Sequence, residues 1–198
     1  MSIVVEHEKR RREILEKALD IFMEEGFENA TFQKIADRCG ITRTTLYIYF
    51  KNKREIFNYS IKQLLGALEW DISGVRDNKE LTCPDKLLRV ISLILERLEE
   101  NRRLLRVILD FLLYLSKNDG EVETKVRRRT LRLRHIIATM VIEGIRSGEI
   151  KAVNVRTADD LFYSLIESAI FRLVVLKRPS AGELKQAVEL TISQMRLA

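Results

Sequence analysis

Apolar residues recur every three to four positions along almost the whole of this 198-residue chain, and no convincing run alternates with a period of two. That regularity restricts the fold to packed helices. Only two prolines and eight glycines interrupt it, so long helices are expected in place of a β-sandwich. With 46% of residues hydrophobic and 32% charged, the chain can bury a core and keep a charged surface. The expected fold class is all-α, with about nine helices. Three short-linked ones come first, at 8–65 with the start of a fourth, and a larger helical body follows at 66–198.

The cap residues divide the pattern. A first helix at 8–25 buries Ile14, Leu15, Ala18, Leu19 and Phe22 and ends at Gly26, with Phe27 just beyond. Thr31 caps a short second helix whose Phe32, Ile35, Ala36 and Cys39 share one face, and Gly40 terminates it. Thr42 caps a third helix two residues later, with Ile41 and Leu46 placed as a hydrophobic staple. Asn52 with Glu55 opens the fourth helix. Pro84 sits in the first turn of the fifth, the sixth runs over 102–117, and the seventh over 121–146. Thr157 and Asp160 have cap-and-N3 spacing for the eighth. The "SAGE" at Ser180 to Glu183 reads as a capping box for the ninth.

Charge and motif content narrow the function. The net charge of +6 suits nucleic acid or another acidic partner. Cys39 and Cys83 are too few for a disulfide framework, so reduced thiols and a cytoplasmic location are expected. Met1 to Val5 is too short for a signal peptide, and the apolar run from Leu104 is broken by Arg106 and Asp110, so no membrane span is expected. There is no Cys/His metal spacing, no G-x-S-x-G and no glycine-rich phosphate loop, and His7 and His135 lack catalytic partners. No enzyme, cofactor or metal is expected.

The stretch "GITRTTLYIYFKNK" at 40–53 carries the function. The second and third helices flank a Gly-containing turn of about three residues, which is helix-turn-helix spacing. Leu46 and Phe50 can anchor the third helix. Arg43, Thr44, Tyr47 and Ile48 then share another face, suited to a solvated surface or to a DNA groove. Lys53 and Arg54 lie in the first turn of the fourth helix, where the helix dipole disfavours cations by about 0.3–1 kcal/mol each. A phosphate at that helix end would reverse the sign.

From about residue 10 to residue 64 the chain resembles the DNA-binding head of the TetR family of transcriptional regulators. The matching residues are Ala18, Phe22, Gly26, Phe27, Thr31, Ile35, Ala36, Gly40, Ile41, Thr42, Thr45, Leu46, Tyr47, Tyr49, Phe50, Lys53 and Ile56. Thr44 departs from the small residue common there. The resemblance implies a DNA-binding domain at 8–65 and an effector-binding, dimerisation domain at 66–198. It implies an all-helical homodimer that binds a palindromic operator on double-stranded DNA, most simply as a repressor released by a small hydrophobic or amphipathic effector. The DNA-contact positions it implies are Thr31, Gln33, Thr42, Arg43, Thr44, Thr45, Tyr47, Tyr49 and Lys53. Among them Gln33, Arg43, Thr44 and Tyr47 are expected at base edges, and Thr31, Thr42, Tyr49 and Lys53 at phosphates.

For the body, the resemblance implies pairing of the last two helices with their symmetry mates, through Leu161, Leu165, Ser168, Leu184, Val188, Thr191, Ile192 and Met195. It also implies an effector cavity, for which Trp70, Phe111, Tyr114, Met140, Phe162, Tyr163 and Phe171 are candidates. Plain core packing is the competing reading of those side chains. The basic run "KVRRRTLRLR" at 125–134 reads first as a solvated face paired with acidic neighbours, the alternative being an acidic-ligand entrance or an auxiliary nucleic-acid surface. A helical interaction or lipid-binding protein without sequence-specific DNA binding is the alternative function.

Overall fold

The computed structural model describes residues 2–118 and 122–197, and all of their side chains except those of residues 2–4, 64, 114, 116–118 and 122–129. Nine helices are seen among the described residues: α1 (Ser2–Asn29), α2 (Phe32–Cys39), α3 (Arg43–Tyr49), α4 (Lys53–Asp77), α5 (Cys83–Glu100), α6 (Arg102–Asn118), α7 (Val122–Arg146), α8 (Val155–Val174) and α9 (Gly182–Met195). Backbone contacts divide the chain into two compact units. Unit 1 is Met1–Ala67 with Arg106–Phe111, and unit 2 is Leu68–Leu105 with Leu112–Ala198.

Unit 1 is built on α1, which starts six residues earlier than its apolar stripe suggests. Gly26 breaks it at φ 80° and ψ 167°, an extended left-side conformation open to glycine, and the helix resumes as far as Asn29. Ile14, Ala18, Ile21 and Phe22 of α1 are buried, as are Ile35 and Ala36 of α2, Leu46 of α3, Phe50, and Ile56 and Phe57 of α4. A buried hydroxyl on α4, that of Ser60, donates to the Leu15 carbonyl of α1 at 3.2 Å. Phe22, Phe27 and Phe57 form an aromatic cluster, and Phe111 of α6 joins it, with ring centroids 4.3 Å from Phe27 and 4.6 Å from Phe57.

Unit 2 is centred on α5, which packs against α7, α8 and α9. Its core includes Leu87, Val90, Ile91, Ile94 and Leu95 of α5, with Ile137, Met140 and Val141 of α7 and Phe162, Ile166 and Ala169 of α8. Gly144 lets α7 approach the chain beyond it: a Cβ there would clash with the Ile150 side chain. The end of α9 is held by main-chain bonds from Lys151 to Met195 at 2.8 Å and from Leu197 to Glu149 at 3.0 Å.

Two helix starts differ from expectation. Asn154, not Thr157, caps α8, and its side chain accepts from the Thr157 N–H at 3.0 Å. The α9 start has no capping box. Glu99 of α5 accepts from the Ala181 N–H at 3.1 Å, while Glu183 pairs with Arg172 at 2.8 Å. A helix N-terminus needs an acceptor, and here a distant carboxylate reaches it first.

The apolar stripe of α9 is also reassigned. Leu184, Val188, Ile192 and Met195 are all buried in the protomer's own core, so they are not available to a symmetry mate. Thr191 is half-buried and its hydroxyl donates to the Ala187 carbonyl at 2.7 Å. On α8, Leu161 is 45% exposed, while Leu165 and Ser168 are half-buried.

The described residues expected to line an effector cavity lie in different settings. Phe111 belongs to the aromatic cluster of unit 1. Met140 and Phe162 are in the core of unit 2. Trp70 is 81% exposed and Phe171 54%. Tyr163 is half-buried, with its hydroxyl 3.2 Å from that of Thr130. The Tyr114 side chain lies outside the described residues. Of the basic run, Arg132 pairs with Glu69 at 3.1 Å, and Arg134 binds Asp159 at 2.7 Å and also Asp160. The side chains of 125–129 lie outside the described residues.

Candidate nucleic-acid interface

The α2–α3 pair is held by local chemistry that its sequence dictates. Thr31 caps α2 by accepting from the Lys34 N–H at 3.2 Å. Gly40 ends it in the left-handed region, at φ 66° and ψ 34°, and donates to Asp37 at 3.0 Å. Thr42 then caps α3 by accepting from the Thr45 N–H at 3.1 Å, and its hydroxyl lies 2.8 Å from that of Thr45. Two ion pairs fix α2 on α1: Lys34 with Glu25 and Arg38 with Glu24, both at 2.7 Å. Hydrogen bonding from Arg38 holds the Glu24 carboxyl below its usual range.

Only Leu46 of α3 is buried, and Phe50 closes the helix in the core. The remaining face is presented outward. Arg43, Thr44 and Tyr47 are exposed, as are Thr31, Gln33 and Thr42; Thr45, Tyr49 and Lys53 are half-buried. Arg43 donates to the Tyr47 hydroxyl at 3.2 Å and lies 5.7 Å over its ring. The Tyr47 ring rests 4.6 Å from Phe32. Gln33 donates to Asp37 at 2.8 Å. An Arg fork, threonine methyls and hydroxyls on one short helix match the donor, acceptor and methyl pattern of a major groove.

Two features were not singled out as site residues from sequence. Ile48 is 70% exposed on the same face, where an apolar side chain suits a thymine methyl. Its place in the helical spacing was the available signal. His7 stacks on Tyr49 with centroids 4.6 Å apart, beside an open groove of about 520 Å³ lined by Glu6, Lys9, Arg10 and Glu13. The early turns of α1 carry too little apolar periodicity to announce this.

Lys53 is bound within the chain. Its ammonium donates to the carbonyls of Phe27, Glu28 and Ala30, at 2.9, 2.8 and 2.9 Å, and lies 4.8 Å from the Phe27 ring centroid. These oxygens belong to the C-terminal end of α1 and the residue after it, where a cation is favoured. Partial burial pushes the Lys53 pKa down, opposed by Glu28. An ammonium has three protons, and all three have acceptors inside the chain. Its placement at the start of α4 therefore does not require a phosphate. The cap itself is as expected: the Asn52 side chain accepts from the Glu55 N–H at 2.9 Å.

Residues 14–59 match the family described as bacterial regulatory proteins, tetR family. The fatty acid metabolism regulator protein of Bacillus subtilis is 29% identical over 163 residues, covering 80% of each chain. The Bacillus subtilis regulator FadR, solved in complex with stearoyl-CoA, superposes with a TM-score of 0.71 at 25% identity, over 91% of this chain and 96% of that one. A TetR transcription regulator from Haloarcula marismortui superposes with a TM-score of 0.83 at 20% identity, over 96% of this chain and 100% of that one. The helical fold, the exposed α3 face and these likenesses converge: the chain belongs to the TetR family and is a helix-turn-helix, DNA-binding transcriptional regulator, not an enzyme.

Proposed function

We propose that the protein binds a palindromic operator as a homodimer, represses transcription there, and is released by a small hydrophobic or amphipathic effector. The observation that carries the reading is the outward face of α3, where Arg43, Thr44, Tyr47 and Ile48 are exposed while Leu46 and Phe50 are buried. A similar regulator solved with stearoyl-CoA supports an amphipathic effector. Two heads on a two-fold axis reach major-groove faces about 34–36 Å apart, one helical turn. The test is selection of bound sequences from a random duplex pool by the full-length protein. Recovery of a two-fold symmetric site supports the proposal, and recovery of no preferred sequence defeats it.

Arg43→Ala is expected to relax preference at one base pair per half-site, costing about 1–3 kcal/mol on the preferred sequence and far less on others. Competition titrations on single-base variants of the selected operator measure this. A loss shared equally by all sequences would place Arg43 on the phosphates.

The dimer surface offered by the protomer is narrower than the apolar stripes. It comprises Leu161, Leu165 and Ser168 of α8, extended by exposed Phe171 and by Leu190 of α9. Leu161→Glu is expected to weaken self-association at least about tenfold, or ~1.4 kcal/mol, because a carboxylate would be buried without a partner. Sedimentation velocity over a dilution series reads the change. An unaltered dimer would move the interface elsewhere.

A further inference from the structure

Within unit 2, the second half of α4 and the facing ridge of α5 enclose an open groove of about 660 Å³. Trp70 and Gly74 stand one turn apart on its α4 side, and Arg89, Leu93 and Arg97 follow at one-turn spacing on its α5 side. Leu93 is buried and Val75 half-buried, which makes an apolar floor. Three details of this groove are not explained by the fold itself.

The first is Trp70, whose indole is the largest apolar surface a side chain offers and yet lies almost wholly in solvent. The second is Gly74. A glycine inside a helix costs about 1 kcal/mol relative to alanine. At Gly144 close packing explains that cost, but a Cβ at Gly74 would meet nothing within 4 Å. The same is true of Gly66, but Gly74 is the glycine that lines the groove. The third is the charge on the α5 rim. Arg97 is held by Asp71 at 2.8 Å and Glu100 at 3.0 Å. Arg89 has its carboxylate, Glu96, only at 3.7 Å, and Glu96 is shared with Lys185 at 3.3 Å. The Arg89 guanidinium is therefore weakly neutralised beside an apolar floor.

We infer that this groove binds a flat aromatic carboxylate, whose ring stacks on Trp70 over the space left by Gly74 and whose carboxylate takes Arg89. A planar ring uses the exposed indole face and the missing side chain together. A fork-to-carboxylate pair supplies orientation. The groove volume is that of a small-molecule site. As a route to regulation, the inference rests on the effector-responsive reading above. The helix that bears Trp70 and Gly74 begins at Lys53 in unit 1, so occupancy acts on an element shared with the DNA-binding head.

The test uses the full-length protein and 2-naphthoate as the probe. Trp70 is the chain's single tryptophan, so its fluorescence reports the groove directly, and calorimetry gives the stoichiometry. One saturable site per chain, with Trp70 emission quenched, is expected. Arg89→Gln is expected to weaken 2-naphthoate about tenfold or more while leaving neutral 2-naphthalenemethanol within about twofold. Gly74→Leu is expected to abolish both, with helical content retained. Decanoate, a carboxylate without a ring, is expected to bind at least about tenfold more weakly. Absence of saturable binding overturns the inference, and so does wild-type binding by both variants. A change of oligomeric state in Gly74→Leu also overturns it, because the groove is then a protein interface. If Gly74→Leu does not fold, the Arg89→Gln comparison decides alone. Operator binding without probe tests the regulator reading separately. Unchanged operator affinity at saturating 2-naphthoate removes the regulatory route and leaves the groove assignment standing.

Discussion

Phe111→Ala is expected to lower the stability of unit 1 by about 3–5 kcal/mol. The ring is buried and touches Phe27 and Phe57, which themselves pack on Phe22 and on each other. Truncation removes the transfer energy of a phenyl group and leaves a cavity among rings that cannot all move inward. Nothing in its immediate sequence marks this residue as part of the head, since it stands mid-way along α6. Denaturant unfolding followed by far-ultraviolet circular dichroism, with operator binding across the same range, reads the effect. Binding should be lost at lower denaturant than in the wild type. Phe162→Ala, in the core of unit 2, serves as comparison and should be of similar size. A Phe111→Ala shift below about 0.5 kcal/mol, the range of ordinary surface changes, would remove Phe111 from the cluster.

Lys53→Met is expected to destabilise unit 1 by about 2–3 kcal/mol, the value of hydrogen bonds to a charged group. It is also expected to leave the salt dependence of DNA binding unchanged. Methionine keeps the length of the stem and removes the three protons. The carbonyls of Phe27, Glu28 and Ala30 then lose their shared donor at the end of α1. Desolvation of the ammonium offsets part of the native gain, so the unpaired oxygens account for most of the loss. The two roles of Lys53 separate cleanly in the data. A latch lowers the unfolding midpoint at constant slope of log affinity against log salt. A phosphate contact lowers that slope by about one and spares the midpoint. The second result would restore Lys53 to the DNA surface.

The parts of the fold that were legible in the sequence are those whose chemistry is local. Thr31, Gly40, Thr42 and Asn52 each act within a few residues of themselves, and each does what its type and spacing suggest. Leu46 and Phe50 were legible for the same reason, as an apolar pair on an otherwise polar helix. Partners distant in sequence were not legible. Glu99 reaches Ala181 across 82 residues, and Lys53 reaches Phe27 across 26. An apolar stripe states that a face is buried but not against what. Leu184, Val188, Ile192 and Met195 illustrate this, since the same spacing serves a protomer core and a dimer seam equally well. The aromatic candidates for a cavity were ambiguous for the same reason: ring chemistry is shared by cores, surfaces and binding sites, and Phe111 and Phe162 are buried in two different cores while Trp70 is exposed.

The second passage of the chain through unit 1, at Arg106–Phe111, limits how this regulator can be taken apart. A single cut after Ala67 would release a fragment with every residue of the helix-turn-helix but without one ring of its aromatic core. Grafting these first residues onto another regulator's body would carry the same deficit unless the recipient presented an aromatic side chain at the equivalent depth. The DNA-binding head is therefore not a freely exchangeable part of this chain. A productive chimera has to exchange the α6 segment together with the head.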